Sequence, residues 1–185
     1  MWNISFPMTT AATAACPSCC SSSSSSVVAA AVTLPTMTAA TSKSSAQEIR
    51  CWLETFAQCV REVDYDRARE MFDLDVVGFG TFAAMLIGRE ALIEGQWKNI
   101  WGCTRGFRFL LDAAHADVSS DGDMAFVASP WVSQGRDAAG NWYDRLGRCT
   151  LVLRKRTRDG AWLCIHSHYS RQPAPEKVGA GVTPA

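Results

Sequence analysis

The apolar residues of this chain change their period once, and that change constrains the fold more than any other feature. Ile49, Trp52, Leu53, Phe56, Ala57 and Val60 recur at helical spacing and form one continuous stripe. In the second half the pattern alternates: Phe107, Phe109 and Leu111 stand against Arg108, Leu110 and Asp112, which is the period of a strand. Between these regions, 66–72 reads as a short helix and 74–79 as a short buried strand. The stretch 88–101 returns to helix, with Ile93, Trp97, Ile100 and Trp101 on one side. Asp121-Gly122, Ala139-Gly140-Asn141 and Arg158-Asp159-Gly160 are turn signals. They separate strands expected at 124–128 (with Trp131 beyond), 148–154 and 161–170. Helices first and strands joined by short turns afterward predict an α+β fold, a curved antiparallel sheet wrapped around N-terminal helices.

Composition changes sharply near residue 47. Ser, Thr and Ala supply 28 of the first 47 residues, with no Asp, Glu or Arg and one Lys, Lys43. Such a segment has too few large apolar side chains to offset its ordering entropy, so 1–44 is expected to be a disordered leader. Ser richness without acidic residues is the composition of a transit peptide, and the lack of Arg favours a plastid address over a mitochondrial one. The alternative is an inert low-complexity tail on a cytoplasmic protein. The first helix is expected to open at Ser45-Ala46-Gln47-Glu48, which fits a capping box. A single domain follows over 45–172, and the Pro- and Gly-containing stretch 173–185 reads as a disordered tail.

Eighteen basic and eighteen acidic residues balance to a net charge of zero, which argues against nucleic-acid binding by bulk electrostatics. No run of 18 apolar residues occurs, so no transmembrane helix is expected, and no membrane among its partners. Cys51, Cys59, Cys103, Cys149 and Cys164 are odd in number and scattered, which is no disulfide framework. Cys16-x-x-Cys19 has no second pair or His at zinc spacing, so no metal and no cofactor are expected. Cys51, Cys59 and Cys164 are read as buried thiols.

Five segments then carry a resemblance. Asp75-Val-Val-Gly-Phe-Gly-Thr81, Gln96-Trp97-Lys-Asn-Ile-Trp101, Asp123-Met-Ala-Phe-Val127, Gly147-Arg148-Cys-Thr150 and Trp162-Leu-Cys-Ile-His166-Ser-His168-Tyr-Ser170 together resemble a SnoaL-like domain. That family belongs to the nuclear transport factor 2-like superfamily, with ketosteroid isomerase. The closing Trp-x-x-x-His-x-His-x-Ser pattern is also similar to the end of the association domain of calmodulin-dependent protein kinase II. The resemblance spans about residues 48–172. It implies a cone-shaped fold with an internal cavity, and a homodimer or higher homo-oligomer. It implies no single reaction, because function resides in the site and not in the fold.

Within that frame, His166 and His168 stand two apart on a strand and share a face, together with Trp162 and Cys164. They are candidates for a cavity role, or for structural bonds to neighbouring strands or a partner subunit; a metal would need a third ligand, such as His115. The opposite face holds Leu163, Ile165, Ser167 and Tyr169. The resemblance to the association domain implies a cavity-lining donor at Tyr169, with an ordinary strand aromatic as the equally open alternative. Arg148, in the Gly-Arg-x-Thr element, is either a cavity guanidinium for a carboxylate or one half of a salt bridge, with Asp112 as a candidate. Trp97 and Trp101 meet on one helix face, as core or as an aromatic wall. Trp131 and Trp142 lie near strand ends, where a pocket rim or an oligomer contact is equally open.

Two readings follow. One is a binding or assembly module whose pocket takes a small hydrophobic or acidic ligand. The other is a small cofactor-independent enzyme (isomerase, cyclase or hydrolase type) doing acid–base chemistry on an apolar carbonyl substrate. Tyr65 lies in the charged stretch Glu62-Val-Asp64-Tyr-Asp66-Arg67, so the Tyr-and-carboxylate arrangement of ketosteroid isomerase has no counterpart there. That favours the first reading.

Overall fold

Helix α1 runs Thr38–Glu62 and lays its apolar stripe on a sheet. Ile49, Trp52, Leu53, Phe56, Ala57 and Val60 are all buried, as their spacing requires. The structure, a computed structural model, describes residues 38–157 and 160–172. The leader ahead of residue 38, its Cys16-x-x-Cys19 pair, Arg158 and Asp159 of the last turn, and the tail from 173 lie outside the described residues. No described helix is long and apolar enough to cross a membrane.

The helix begins ahead of the capping box, which corrects that reading. Ser45 is buried within the helix. Glu48 reaches across the fold, accepting from Lys155 Nζ at 2.7 Å and Trp162 Nε1 at 2.8 Å. Burial alone would raise the Glu48 pKa; these two donors outweigh it and hold the carboxyl below its usual range. Cys51 is also corrected: it falls off the stripe and is exposed, whereas Cys59 and Cys164 are buried.

After α2 (Tyr65–Arg69) come β1 (Phe72–Phe79) and the short β2 (Met85–Ile87). A continuous helical segment, α3, then covers 89–103. Its first turn is α (Arg89–Leu92), its second π (Ile93–Trp97), its third α (Lys98–Ile100), and it closes as 3-10 (Trp101–Cys103). The strands β3 (Thr104–Phe109), β4 (His115–Val118), β5 (Met124–Arg136), β6 (Trp142–Lys155) and β7 (Trp162–Arg171) complete the fold. The sheet order is β2-β1-β7-β6-β5-β3, with β4 pairing another stretch of β5.

Strand β5 is longer than expected. Pro130 interrupts its sequence but not its ladder, because the Pro130 carbonyl accepts from Leu110 N at 2.9 Å. Pairing with β4 ends at Ala128 and pairing with β3 begins at Trp131, so the missing N–H of Pro130 falls between the two ladders. The sheet is also not wholly antiparallel, since β1 pairs parallel with β7. Helix α3 and five further strands separate β1 from β7 in sequence, so no hairpin dictates their relative direction.

One irregularity reassigns faces. Between β6 and β7, Val152 pairs with His166 and Leu153 with Cys164, so Ile165 is an extra residue on β7. This bulge shifts the side-chain phase by one. Trp162 and Cys164 face α1 before it; Ser167 and Tyr169 face α1 after it. His166 and His168 therefore lie on the outer face and do not share the face of Trp162 and Cys164.

Candidate functional site

The inner face of the sheet and the helices enclose a cavity of about 60 Å³ that opens to solvent. Sequence alternation decides which strand residues reach it. In β6, Leu153, Leu151 and Cys149 are buried inward, and the same phase carries Gly147 and Arg145 inward. In β5 it carries Trp131 and Ser133. Thr104 and Phe107 of β3 and Tyr169 of β7 complete the sheet side. Phe56 and Val60 of α1 close one wall, while Gln96, Trp97, Ile100 and Trp101 of α3 close the other, with Thr81 nearby.

Glycines make the room. A Cβ on Gly147 would stand 2.1 Å from Trp131 Cζ2, so the indole lies flat against bare backbone. A Cβ on Gly135 would stand 2.8 Å from Arg145 Cδ. The aromatic side is tightly built: Trp97 and Trp101 stack at 4.8 Å, and Phe107 sits 5.8 Å from Trp131 and 6.5 Å from Tyr169.

The polar groups of this cavity are incompletely matched. Arg145 is 7% exposed; its Nη2 donates to Thr104 Oγ1 at 2.7 Å and Gln134 O at 3.2 Å, and its Nε to Ser133 Oγ at 3.2 Å. All three acceptors are neutral, and no carboxylate lies within ion-pair distance among the described residues. Burial pushes its pKa down, yet an arginine in a protein stays cationic near neutrality. Tyr169 Oη, Trp131 Nε1 and Gln96 Oε1 are buried without a hydrogen-bond partner. Burial pushes the Tyr169 phenol well above its ordinary pKa, so it stays neutral and able to donate.

Four of the residues singled out from sequence thus line one cavity: Trp97, Trp101, Trp131 and Tyr169. Trp131 sits mid-strand and not at a rim, whereas Trp142 opens β6 and holds the Arg105 guanidinium 4.2 Å above its ring. Arg148, His166 and His168 do not enter the cavity. Arg148 shares the phase of Thr150 and Val152, points outward, and donates to Ser170 Oγ at 3.2 Å; Asp112 lies 4.0 Å from Arg50 instead. The His166 and His168 rings stand edge-on to Phe79, at 5.8 and 5.5 Å. His115 is in line with His168 through Ala128 and Thr150, three strand spacings or about 14 Å away, too far to share a metal ion, although both line an open outer groove with Arg148.

Sequence reasoning missed Arg145, Gln96, Thr104 and Ser133. The phase of Cys149, Leu151 and Leu153 extends to Arg145, but the apolar Leu146 and Val152 blurred it. Gln96 is buried by the π turn, which no periodicity announces. The thiols offer no nucleophile here: burial pushes Cys149 up to about 12 and Cys164 also upward.

Comparison with known proteins places this geometry. A SnoaL-like domain family model matches residues 49–175. No curated protein matches the chain in sequence. Among solved structures, a nuclear transport factor 2-like superfamily protein from Salmonella enterica superposes with a TM-score of 0.63 at 20% identity, covering 76% of this chain and 99% of that one. A ketosteroid isomerase-like protein from Erwinia carotovora gives 0.57 at 17% identity, covering 69% and 96%. The association domain of C. elegans CaMKII gives 0.54 at 20% identity, covering 69% and 96%. The structural likenesses establish the α+β cone with its curved, open sheet, and with the family model matching most of its length, the chain belongs to the SnoaL-like domain family.

Proposed function

We propose that this chain is a ligand-binding and self-associating module. The observation that carries the binding half is the cavity itself: an aromatic-walled space into which Tyr169, Trp131 and Gln96 present buried polar atoms with no partner among the described residues. Such atoms cost free energy in the folded state unless something answers them, and a small hydrophobic or acidic ligand would. The enzyme reading is weaker. Acid–base chemistry on a carbonyl compound needs a base within reach, and the described lining holds neither carboxylate nor imidazole.

The assembly half rests on the outer sheet face. Phe126 is 43% exposed there, and Met85, Ile87, Met124 and Phe79 are exposed as well. An apolar face of this breadth suits a second copy of the chain, and a structural neighbour is named as an association domain. Native mass spectrometry of the full chain tests both halves. A dimer or larger ring carrying a small non-covalent mass is the expected result. A monomer would overturn the assembly half; a chain that carries no mass and takes up no small organic compound would overturn the binding half.

A further inference from the structure

Resting on that binding reading, we infer that the cavity takes a small aromatic carboxylate bearing a hydroxyl away from its acid group. Charge decides the acid. Arg145 is a buried cation satisfied on Nε and Nη2 by neutral oxygens, and no carboxylate among the described residues pairs with it. A buried charge without a counter-charge is costly, and the missing group is an anion. Trp131 Nε1 and Tyr169 Oη add two neutral donors in the same lining. A carboxylate is acceptor-only, with lone pairs enough for a guanidinium, an indole and a phenol together.

Shape decides the ring. Trp97, Trp101, Phe107 and Phe56 supply flat apolar walls, against which an arene gains more than a flexible chain and loses less entropy. Position decides the hydroxyl. Gln96 comes from α3, across the cavity from the strand that carries Arg145, and its buried Oε1 has no donor. A hydroxyl answers an amide as donor or as acceptor. The ligand would therefore lie between sheet and helix, acid toward Arg145 and hydroxyl toward Gln96.

The test titrates the full chain with 4-hydroxybenzoate and with its neutral isostere 4-hydroxybenzamide, following tryptophan fluorescence and calorimetric heat. The expected result is one site per chain that prefers the acid by about 10- to 100-fold, the range set by a charge-assisted hydrogen bond. Arg145→Gln, with its fold checked by circular dichroism, is expected to abolish that preference. If that variant does not fold, Arg145→Lys is expected to keep the charge preference while weakening binding. Replacing 4-hydroxybenzoate by benzoate is expected to weaken binding in the native chain and to make no difference in Gln96→Leu. Equal binding of acid and amide, an acid preference that survives Arg145→Gln, or no binding of either probe would overturn the inference. A neutral compound carried through purification in native mass spectra would overturn it too, while leaving the binding reading intact.

Discussion

Replacing Gly147 by alanine would put a methyl group 2.1 and 2.2 Å from two atoms of the Trp131 indole and 2.5 Å from the Ser170 carbonyl oxygen. Favourable contact between carbons begins near 3.5 Å, so the ring must retreat by about 1.4 Å. It has the cavity to retreat into. The Ser170 oxygen belongs to the backbone of β7, and moving it means spreading the β6–β7 ladder. Alanine ordinarily gains about 0.5–1 kcal/mol over glycine within a strand. Overpacking costs about 1–3 kcal/mol, and a backbone neighbour places this site at the upper end. The net expectation is a loss of about 2 kcal/mol, which lowers a urea midpoint by about 1 M for a typical slope. Gly102→Ala is the control: its Cβ would meet nothing within 4 Å, and no loss is expected. Adding Trp131→Leu to Gly147→Ala is expected to recover part of the loss, because it relieves the ring but not the carbonyl. Equilibrium urea unfolding of the four proteins decides the matter. A Gly147→Ala protein as stable as the native chain would mean that the indole does not lie on that glycine and that the cavity wall is built otherwise.

Two further expectations come from the same physics. Tyr169→Phe removes a buried hydroxyl that has no partner, so the ligand-free variant is expected to be at least as stable as the native chain. A thermal melt that falls by several degrees would show that the hydroxyl is satisfied within the protein. Asp73 is buried between Arg154 and Arg156, at 3.3 and 3.2 Å, and accepts from Asp75 N. Burial would raise its pKa; the Asp75 amide and the two guanidiniums outweigh that and hold it below the usual carboxylate range. A carboxyl with a depressed folded pKa stabilises fully above the unfolded value of about 4, and that contribution disappears as pH falls through the folded value. Asp73→Asn is therefore expected to cost about 1–3 kcal/mol between pH 5 and 8, with the gap to native closing below about pH 4. A gap that widens on acidification would contradict this assignment.

Much of the fold was legible because local patterns dictated it. The α1 stripe needs only 3.6-residue spacing, and every member is buried. Turns at Gly122 and Gly140 have the positive φ that their Asp-Gly and Gly-Asn signals demand. Trp97 and Trp101 meet because neighbours one turn apart must. The histidine face was misread because a bulge is a property of a strand pair: Ile165 is surplus only relative to β6. Glu48 was misread for a similar reason, its partners Lys155 and Trp162 lying more than a hundred residues away.

The chain's own residues, taken in order, determined an α+β fold, the buried stripe and the meeting of Trp97 with Trp101, while Tyr169 became a candidate through the resemblance to the association domain. Tertiary structure alone decided that Arg145 and not Arg148 faces the cavity, that Gln96 joins it through a π turn, and that His166 and His168 look outward. Periodicity in one segment says which residues share a face. Which of the two faces is the inner one depends on register against strands remote in sequence, and a single extra residue reverses it.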